Sequence, residues 1–266
     1  MNATELYQAG QLSDAVSALN EVLKKNPTDQ SARGFLAELL CFAGNVDRAD
    51  KQLETLLQQT PEAAVGLSLF RQLIRAEQAR QQFYGEGRLP EFLDEPSPML
   101  RLHLQASIEL REGNAEQVAQ RLAEAEKLHP NVTGTCDGAA FEGFRDLDDL
   151  TAPVFEVLTS TGKYYWIPID RVELVEFHAP ERALDLLWRR AHMVVKGGPD
   201  GEVFLPAIYA GSAAQSDERL ALGRATEWKG EEGAPAFGVG QRMFLVGEQD
   251  RPIMDITELT IDQPEE

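Results

Sequence analysis

The chain has 266 residues, of which 43% are hydrophobic and 26% are charged, as is typical of a folded protein rather than a disordered one. Its 44 acidic residues exceed its 25 basic residues and give a net charge of −19 at pH 7. This balance disfavours nucleic-acid binding through a basic surface, and it equally disfavours attraction to anionic lipid. The length allows one large domain or two domains of ordinary size.

Cysteine usage and hydropathy indicate where the protein resides. The only two cysteines are Cys41 and Cys136, and Cys41 lies in an apolar helical run, where it is interpreted as a small buried hydrophobic residue, so we predict no disulfide. The first residues lack the basic and apolar stretches of a secretory leader. No apolar run approaches the roughly 18 residues that cross a bilayer. The sequence therefore predicts a cytoplasmic protein without a membrane partner.

A short motif recurs after 34 residues in the first part of the chain. Ala9–Ala15 (AGQLSDA) returns as Ala43–Ala49 (AGNVDRA), and Pro27 returns as Pro61 with the same shift. Apolar residues at three- and four-residue spacing accompany both copies, which predicts amphipathic helices. A period of this length, with small residues at a turn and a proline after the second helix, is typical of tetratricopeptide-type helical hairpins.

The helical pattern continues less regularly to about residue 130. We predict helices over 63–84 and 99–110, a turn at Glu112–Asn114, and a further helix that ends before Pro130. Residues 1–130 are thus predicted as an all-α domain that resembles a tetratricopeptide-like array. By that resemblance, the first helix of each hairpin lines a concave binding surface. This reasoning nominates five partner-binding residues, Tyr7, Glu38, Phe42, His103 and Arg111.

Residues 131–266 are predicted to form a separate α+β domain. Residues 131–135 have the composition of a loop, residues 141–150 are consistent with one short helix, and a second short helix is expected at 182–188. Short β-favouring runs alternate with turns and predict a small, mostly antiparallel sheet or barrel. The predicted strands are residues 154–158, 164–168, 171–177, 193–196, 202–205, 242–246 and 253–257.

Five segments of the second half occur in an order that resembles one protein family. They are Tyr165–Pro168 (YWIP), Asp185–Arg189 (DLLWR), Gly201–Tyr209 (GEVFLPAIY), Leu222–Trp228 (LGRATEW) and Gly238–Leu245 (GVGQRMFL). Behind a helical-repeat half, this ordered set resembles the ImpE (SciE, TagJ) family of type VI secretion accessory proteins. The resemblance implies a two-domain, non-enzymatic adaptor of the contractile secretion apparatus. It also implies binding to a helix near the N-terminus of the small sheath subunit.

The sequence contains no pattern that indicates catalysis or metal binding. The four histidines lie outside the HxxxH, HxH and CxxC arrangements, and the glycine-rich stretch at Gly238–Gly240 lacks the spacing of a dinucleotide site. His178 and His192 flank the predicted short helix and could converge in space. The three tryptophans are interpreted as packing residues rather than a stacking platform. We therefore predict no metal, no cofactor and no enzymatic activity.

An alternative hypothesis assigns small-ligand binding or catalysis to the second domain, with the repeats as a docking module. It depends on aromatic, hydroxyl and arginine side chains of a kind that binds anions. These are Trp166, Arg189, Arg224, Thr226 and Arg242. The competing interpretation is that the arginines pair with carboxylates of the same acidic domain.

Overall fold

The computed structural model describes residues 1–262 and begins with a run of helices that pack as consecutive hairpins. Gly10 and Gly44, the glycines of the repeated motif, both have positive φ angles, of 82° and 71°. Glycine adopts this conformation without steric cost, so it reverses the chain between two helices at both places. The helices are α1 (Ala3–Gln8), α2 (Leu12–Lys25), α3 (Gln30–Phe42), α4 (Val46–Gln59), α5 (Ala64–Glu86), α6 (Pro98–Glu112) and α7 (Ala115–Glu126).

The faces that the repeat predicts to be buried are buried. Leu12, Ala15 and Leu19 on α2 correspond to Val46, Ala49 and Leu53 on α4, and all six side chains lie in the core. The Asp29 carboxylate accepts a hydrogen bond from the Ala32 amide at 2.9 Å and so caps α3. At the equivalent place before α5, a short 3-10 helix intervenes, and the Thr60 hydroxyl has no hydrogen-bond partner among the described residues.

After the helices, the chain forms an eight-stranded sheet, a three-stranded sheet and a two-stranded hairpin. The strands are β1 (Thr133–Cys136), β2 (Ala139–Glu142), β3 (Phe144–Asp146), β4 (Val154–Leu158), β5 (Tyr164–Pro168), β6 (Val172–Phe177), β7 (Trp188–Val195), β8 (Asp200–Pro206), β9 (Thr226–Lys229), β10 (Phe237–Gly240), β11 (Met243–Val246), β12 (Gln249–Pro252) and β13 (Glu258–Ile261). The eight-stranded sheet has the order β2-β1-β13-β6-β7-β8-β4-β5 with antiparallel neighbours, and it is open rather than closed into a barrel.

Three local predictions differ from the structure. Residues 141–150 do not form a helix: Gly143, with a φ of 90°, separates β2 from β3, and Phe144 stacks on Phe244 at 5.1 Å between ring centroids. The predicted loop at 131–135 contains the start of β1, where Gly134 is required because a Cβ there would lie 2.0 Å from the Thr260 carbonyl oxygen. The predicted strand at 253–257 is a 3-10 helix at Ile253–Asp255 followed by β13.

Each face of the large sheet packs against a different layer. On β4, Val154 and Leu158 face a core shared with the helices, whereas Phe155 and Val157 face a second core beneath the three-stranded sheet. Alternate side chains of a strand point to opposite faces, so one short strand contributes to both cores. The fold class predicted from the sequence is therefore confirmed as a helical-repeat region followed by antiparallel sheets.

Helix α5 connects the two regions through aromatic packing. The Phe83 ring lies 4.9 Å from Trp166 on β5, and Phe70 lies 6.1 Å from Trp188 on β7, with edge-to-face geometry in both pairs. Such pairs add stabilisation beyond the area that they bury. The predicted division into two domains, residues 1–130 and 131–266, remains a prediction. One apolar core contains residues from both sides of this boundary. Residues 263–266 of the predicted second domain lie outside the described part of the chain.

Replacing Phe83 by alanine tests whether the helices and the sheet unfold together. The side chain is buried between both regions, so we expect the free energy of unfolding to fall by about 3–5 kcal/mol. The midpoints of urea unfolding followed by circular dichroism and by tryptophan fluorescence are expected to fall by the same amount. Val65→Ala, at a position of α5 that is 87% exposed, is the control and should change stability by no more than about 0.5 kcal/mol. Two separate transitions would contradict a shared core.

Candidate docking surface and buried polar network

Three of the five nominated docking residues lie together at the N-terminal end of the array. The Tyr7 ring on α1 lies 5.7 Å from Phe35 and 6.2 Å from Phe42, measured between centroids. Tyr7, Phe35 and Glu38 are half-buried, while Phe42 is buried. We call Tyr7, Phe35 and Glu38 the α1–α3 lip. Burial raises the pKa of both the Tyr7 hydroxyl and the Glu38 carboxyl.

The chain's own C-terminal region contacts the first hairpins beside this lip. The Arg224 guanidinium lies 4.9 Å from the Tyr7 ring centroid, and its Nη1 donates a 2.8 Å hydrogen bond to the Gln8 carbonyl. The Ser13 amide donates to Glu218 at 3.0 Å. Arg182 Nη1 approaches Glu38 to 3.8 Å. The C-terminal region therefore packs against the end of α1, the start of α2 and one side of α3.

The other two nominated residues lie on α6 and make internal contacts. His103 is 4% exposed, and its Nδ1 lies 2.9 Å from the Leu150 carbonyl oxygen. Arg111 donates to the Phe83 carbonyl at 3.0 Å and so joins α6 to α5. Burial lowers the pKa of His103 to about 4. The structure therefore does not bring these two residues into one surface with the lip.

The five residues of the alternative ligand cluster are also dispersed. Arg189 donates to the Ile253 carbonyl and lies 4.5 Å from the Phe177 ring centroid. The Thr226 hydroxyl donates to the Gln241 carbonyl at 2.8 Å, and Arg224 lies on Tyr7. Trp166 is buried and donates to the Tyr164 hydroxyl. Arg242 pairs with carboxylates, so these side chains do not form one anion site.

Glu156 on β4 is the centre of a buried polar network. Its two carboxylate oxygens accept hydrogen bonds from Nε and Nη2 of Arg80, each at 3.0 Å. A second guanidinium, that of Arg242, donates to Glu156 and to Asp146. Burial disfavours the charged form, but the two guanidiniums outweigh it and lower the pKa of Glu156 to about 2. Glu156 is therefore ionised at neutral pH despite its burial.

Tyrosine hydroxyls and a second carboxylate complete the network. Tyr84 donates to Glu156 at 3.1 Å, and Tyr164 donates to the same oxygen. Asp146 accepts from the Tyr209 hydroxyl at 2.7 Å and from Thr151 at 3.0 Å. Both carboxylates and both guanidiniums thus have several partners, as buried ionised groups require.

Sequence reasoning missed Arg80 and Glu156 as members of a network. A usable signal is present, because Glu77 and Arg80 interrupt the apolar face of α5 and Glu156 interrupts the apolar run of β4. Charged residues at positions that should be buried indicate that each has a partner. The partner cannot be read from the sequence, since Arg80 and Glu156 are 76 residues apart.

The two histidines of the sheet converge on one carboxylate. His178 Nε2 lies 3.1 Å from Glu202 Oε2, and His192 Nδ1 lies 3.8 Å from Glu202 Oε1. Arg190 Nε also donates to Glu202, which makes the group a surface ion cluster. Among residues 1–262, no group of three or more His, Cys, Asp or Glu has a geometry that could hold a metal ion. Within the same residues, no helix combines the length and apolarity that crossing a membrane requires.

The tryptophans differ in burial. Trp166 and Trp188 are buried, as the packing interpretation predicts. For Trp228 that interpretation is wrong, because the residue is 44% exposed on β9, with its ring centroid 5.8 Å from that of Tyr209. Three of the four residues of β9 are exposed, so this strand of the β9–β10 hairpin is largely uncovered.

Comparison with known proteins agrees with both halves of the structure. A tetratricopeptide-repeat model matches residues 6–73, and the model described as ImpE protein matches residues 138–260. The type VI secretion system accessory component TagJ of Pseudomonas aeruginosa is 31% identical over 259 residues, which are 97% of this chain and 90% of that protein. The chain belongs to the ImpE/TagJ family. A crystal structure of protein VPA1032 from Vibrio parahaemolyticus superposes on this ImpE/TagJ-family chain with a TM-score of 0.92 and 28% sequence identity, and the superposition covers 98% of each chain.

Replacing Arg242 by leucine tests the contribution of the network to stability. The variant leaves Asp146 buried without its guanidinium and Glu156 with only one, so we expect the free energy of unfolding to fall by about 3–5 kcal/mol. Arg101→Leu is the control, because its ion pair with Glu95 is exposed and such pairs contribute at most about 1 kcal/mol. Denaturant unfolding at pH 7 provides the measurement. Equal losses in the two variants would contradict a stabilising buried network.

Replacing His103 by glutamine tests the pH dependence of stability. The folded pKa of about 4 lies below the unfolded value, so the unfolded state binds more protons between these pH values. Above pH 6.5 the neutral His103 adds its full contribution to the free energy of unfolding. This contribution, roughly 3 kcal/mol, is lost as the pH falls towards 4. Burial raises the pKa of Asp148 and acts in the opposite sense, so the informative quantity is the difference between variant and wild type.

We expect His103→Gln to lose less stability than the wild type between pH 7 and pH 5. A glutamine amide can still donate to the Leu150 carbonyl, which His103 contacts in the wild type. His178→Gln, at an exposed position, is the matched control and should follow the wild type more closely. Urea unfolding at both pH values provides the measurement. An unchanged pH dependence in His103→Gln would contradict the low pKa.

Proposed function

We propose that this protein is a non-enzymatic, cytoplasmic adaptor of a type VI secretion system that binds a helix near the N-terminus of the small sheath subunit. The observation that carries the proposal is the similarity, over nearly the whole chain, to the accessory component TagJ. The helical hairpins at residues 6–73 support a role in protein–protein interaction, because repeat arrays of this type present surfaces to partners. The same relation supports an accessory rather than a catalytic role.

The α1–α3 lip is the proposed docking surface. Tyr7 and Phe35 offer half-buried aromatic rings, which are the side chains that most often anchor a partner. Glu38 adds a carboxylate, and Arg224 and Arg182 border the lip from the C-terminal region. An amphipathic helix can place its apolar face on the two rings while its polar side chains meet these charges. Phe42 is buried and packs against the Tyr7 ring, so in this proposal it supports Tyr7 rather than contacting the partner.

Co-purification with the small sheath subunit tests the proposed partner. The tagged protein should retain the full-length subunit and should lose it when the subunit's N-terminal helix is deleted, because that helix supplies the apolar anchors. The control is a sheath subunit with a deletion of equal length at its other end, which should still bind. Retention of the subunit without its N-terminal helix would refute the proposed binding mode.

Variants of the lip test the proposed surface. We expect Tyr7→Ala and Glu38→Lys each to weaken binding of the sheath subunit by roughly tenfold or more, because central anchors contribute at least 1–2 kcal/mol. Gln117→Ala, at an exposed position of α7, is the control and should bind as the wild type does. Calorimetric titration measures affinity, and circular dichroism establishes that each variant is folded. Wild-type affinity in both folded lip variants would place the partner elsewhere.

A further inference from the structure

A cavity of about 340 Å³ lies between α3, α5 and the segment that follows β8. Its size is within the roughly 300–1,000 Å³ range of small-molecule sites. Most of the wall is apolar, and a few polar side chains of α5 converge on it. The wall includes Phe42, Glu77, Arg80, Tyr84, Leu187 and Ile208.

Glu77 is the buried carboxylate of this cavity, and one of its oxygens is poorly satisfied. The residue is 8% exposed, and its Oε2 accepts a 3.2 Å hydrogen bond from the Trp188 indole. Its other oxygen, Oε1, has Arg80 Nη1 as its partner among the described residues, at 3.5 Å. That distance is at the limit of a hydrogen bond. Glu77 therefore retains capacity to accept a hydrogen bond.

The neighbouring guanidiniums are already committed to other carboxylates. Arg80 binds both oxygens of Glu156 and also donates to the Ile208 carbonyl at 3.1 Å. Arg242 binds Glu156 and Asp146. These two cations balance those two carboxylates, which leaves the negative charge of Glu77 without full compensation. The raised pKa of Glu77, caused first by burial, agrees with this imbalance.

We propose that this cavity binds an ammonium or guanidinium group, with Glu77 Oε1 as its hydrogen-bond acceptor and counter-ion. A buried carboxylate is stabilised most by a cation that also donates a hydrogen bond to it, because charge attraction and hydrogen bonding are both stronger in a low-dielectric environment. The apolar wall formed by Phe42, Leu187 and Ile208 holds the alkyl stem of such a group. The group comes either from a free small amine or from a lysine or arginine side chain of another protein, since both have the same chemistry.

Binding of simple cations tests the site without knowledge of the natural ligand. n-Butylammonium and n-butylguanidinium chloride are titrated against the full chain, with n-butanol as the uncharged probe of similar size. Saturation-transfer NMR and the shift in melting temperature report binding. We expect saturable binding of at least one cation, at least tenfold tighter than butanol. Equal binding of the cations and butanol would overturn the proposal.

Two variants assign the binding to this cavity. Glu77→Gln keeps an acceptor for the Trp188 indole but removes the charge, and we expect it to weaken cation binding at least tenfold. Ala213 is an exposed residue of the cavity wall, so Ala213→Phe places a larger side chain in the cavity while leaving Glu77 intact, and it should also weaken binding. Ala214→Phe, at the next exposed position and outside the cavity wall, is the matched control and should bind as the wild type does. Wild-type binding by the first two variants would refute the site, and Ala213→Phe keeps the test valid if Glu77→Gln does not fold.

Blocked amino acids distinguish the two sources of the cation. Nα-acetyl-lysine methylamide and Nα-acetyl-arginine methylamide present the side chain as a protein does, with the backbone charges removed. Binding at least as tight as that of the simple alkyl cations would indicate a protein side chain as the ligand. Binding of the alkyl cations together with exclusion of both blocked residues would indicate a free amine. Exclusion of all four cations would refute the proposal.

Discussion

A buried carboxylate held by two guanidiniums determines how the halves of this molecule are joined. Glu156 lies on a strand of the large sheet, Arg80 on the longest helix and Arg242 immediately before another strand. Removing one partner from such a group strongly lowers the free energy of unfolding, because the buried charge that remains is neither solvated nor paired. The carboxylate therefore tolerates few relative positions of helix α5 and the sheet. The aromatic contacts of Phe83 and Phe70 add apolar packing around the same junction.

The position of the sheet changes what the repeat array can do. In an isolated array of helical hairpins, the concave face is free for partners. Here Arg224, Glu218 and Arg182 bring the C-terminal region against the first hairpins. The residues of the α1–α3 lip remain half-buried beside these contacts. The proposed docking surface therefore borders a contact that the chain makes with itself.

Local features of the sequence predicted local structure well. The two copies of the repeated motif form equivalent turns because glycine at positive φ ends a helix independently of distant contacts. The alternating run of β6 and the apolar run of β4 also form strands as predicted. The conformation of residues 141–150 is harder to predict from the sequence, because their composition is compatible with a helix and the strands there are only three or four residues long. Pairing with β1 and β11 decides their conformation.

The candidate sites show the same division. The arginines of the second half stand out in the sequence, but the sequence does not show their partners, since Asp146 and Arg242 are 96 residues apart. The sequence shows Glu77 as a charge on the apolar face of α5, but its cavity exists because α3, α5 and the segment after β8 meet around it. Tyr7 and Glu38 were chosen from their place in the repeat, whereas their remaining exposure depends on where Arg224 and Arg182 lie.

Short segments of the sequence specify the helical repeat, the antiparallel character of the second half and the family, because periodicity, turn residues and ordered motifs are local properties. Only the folded chain shows that the two halves share a core, that Arg224 packs on Tyr7 and that Glu156 lies between two arginines. These features depend on contacts between residues separated by tens to hundreds of positions. Such contacts follow from the packing of whole elements, and no short segment of the chain encodes them.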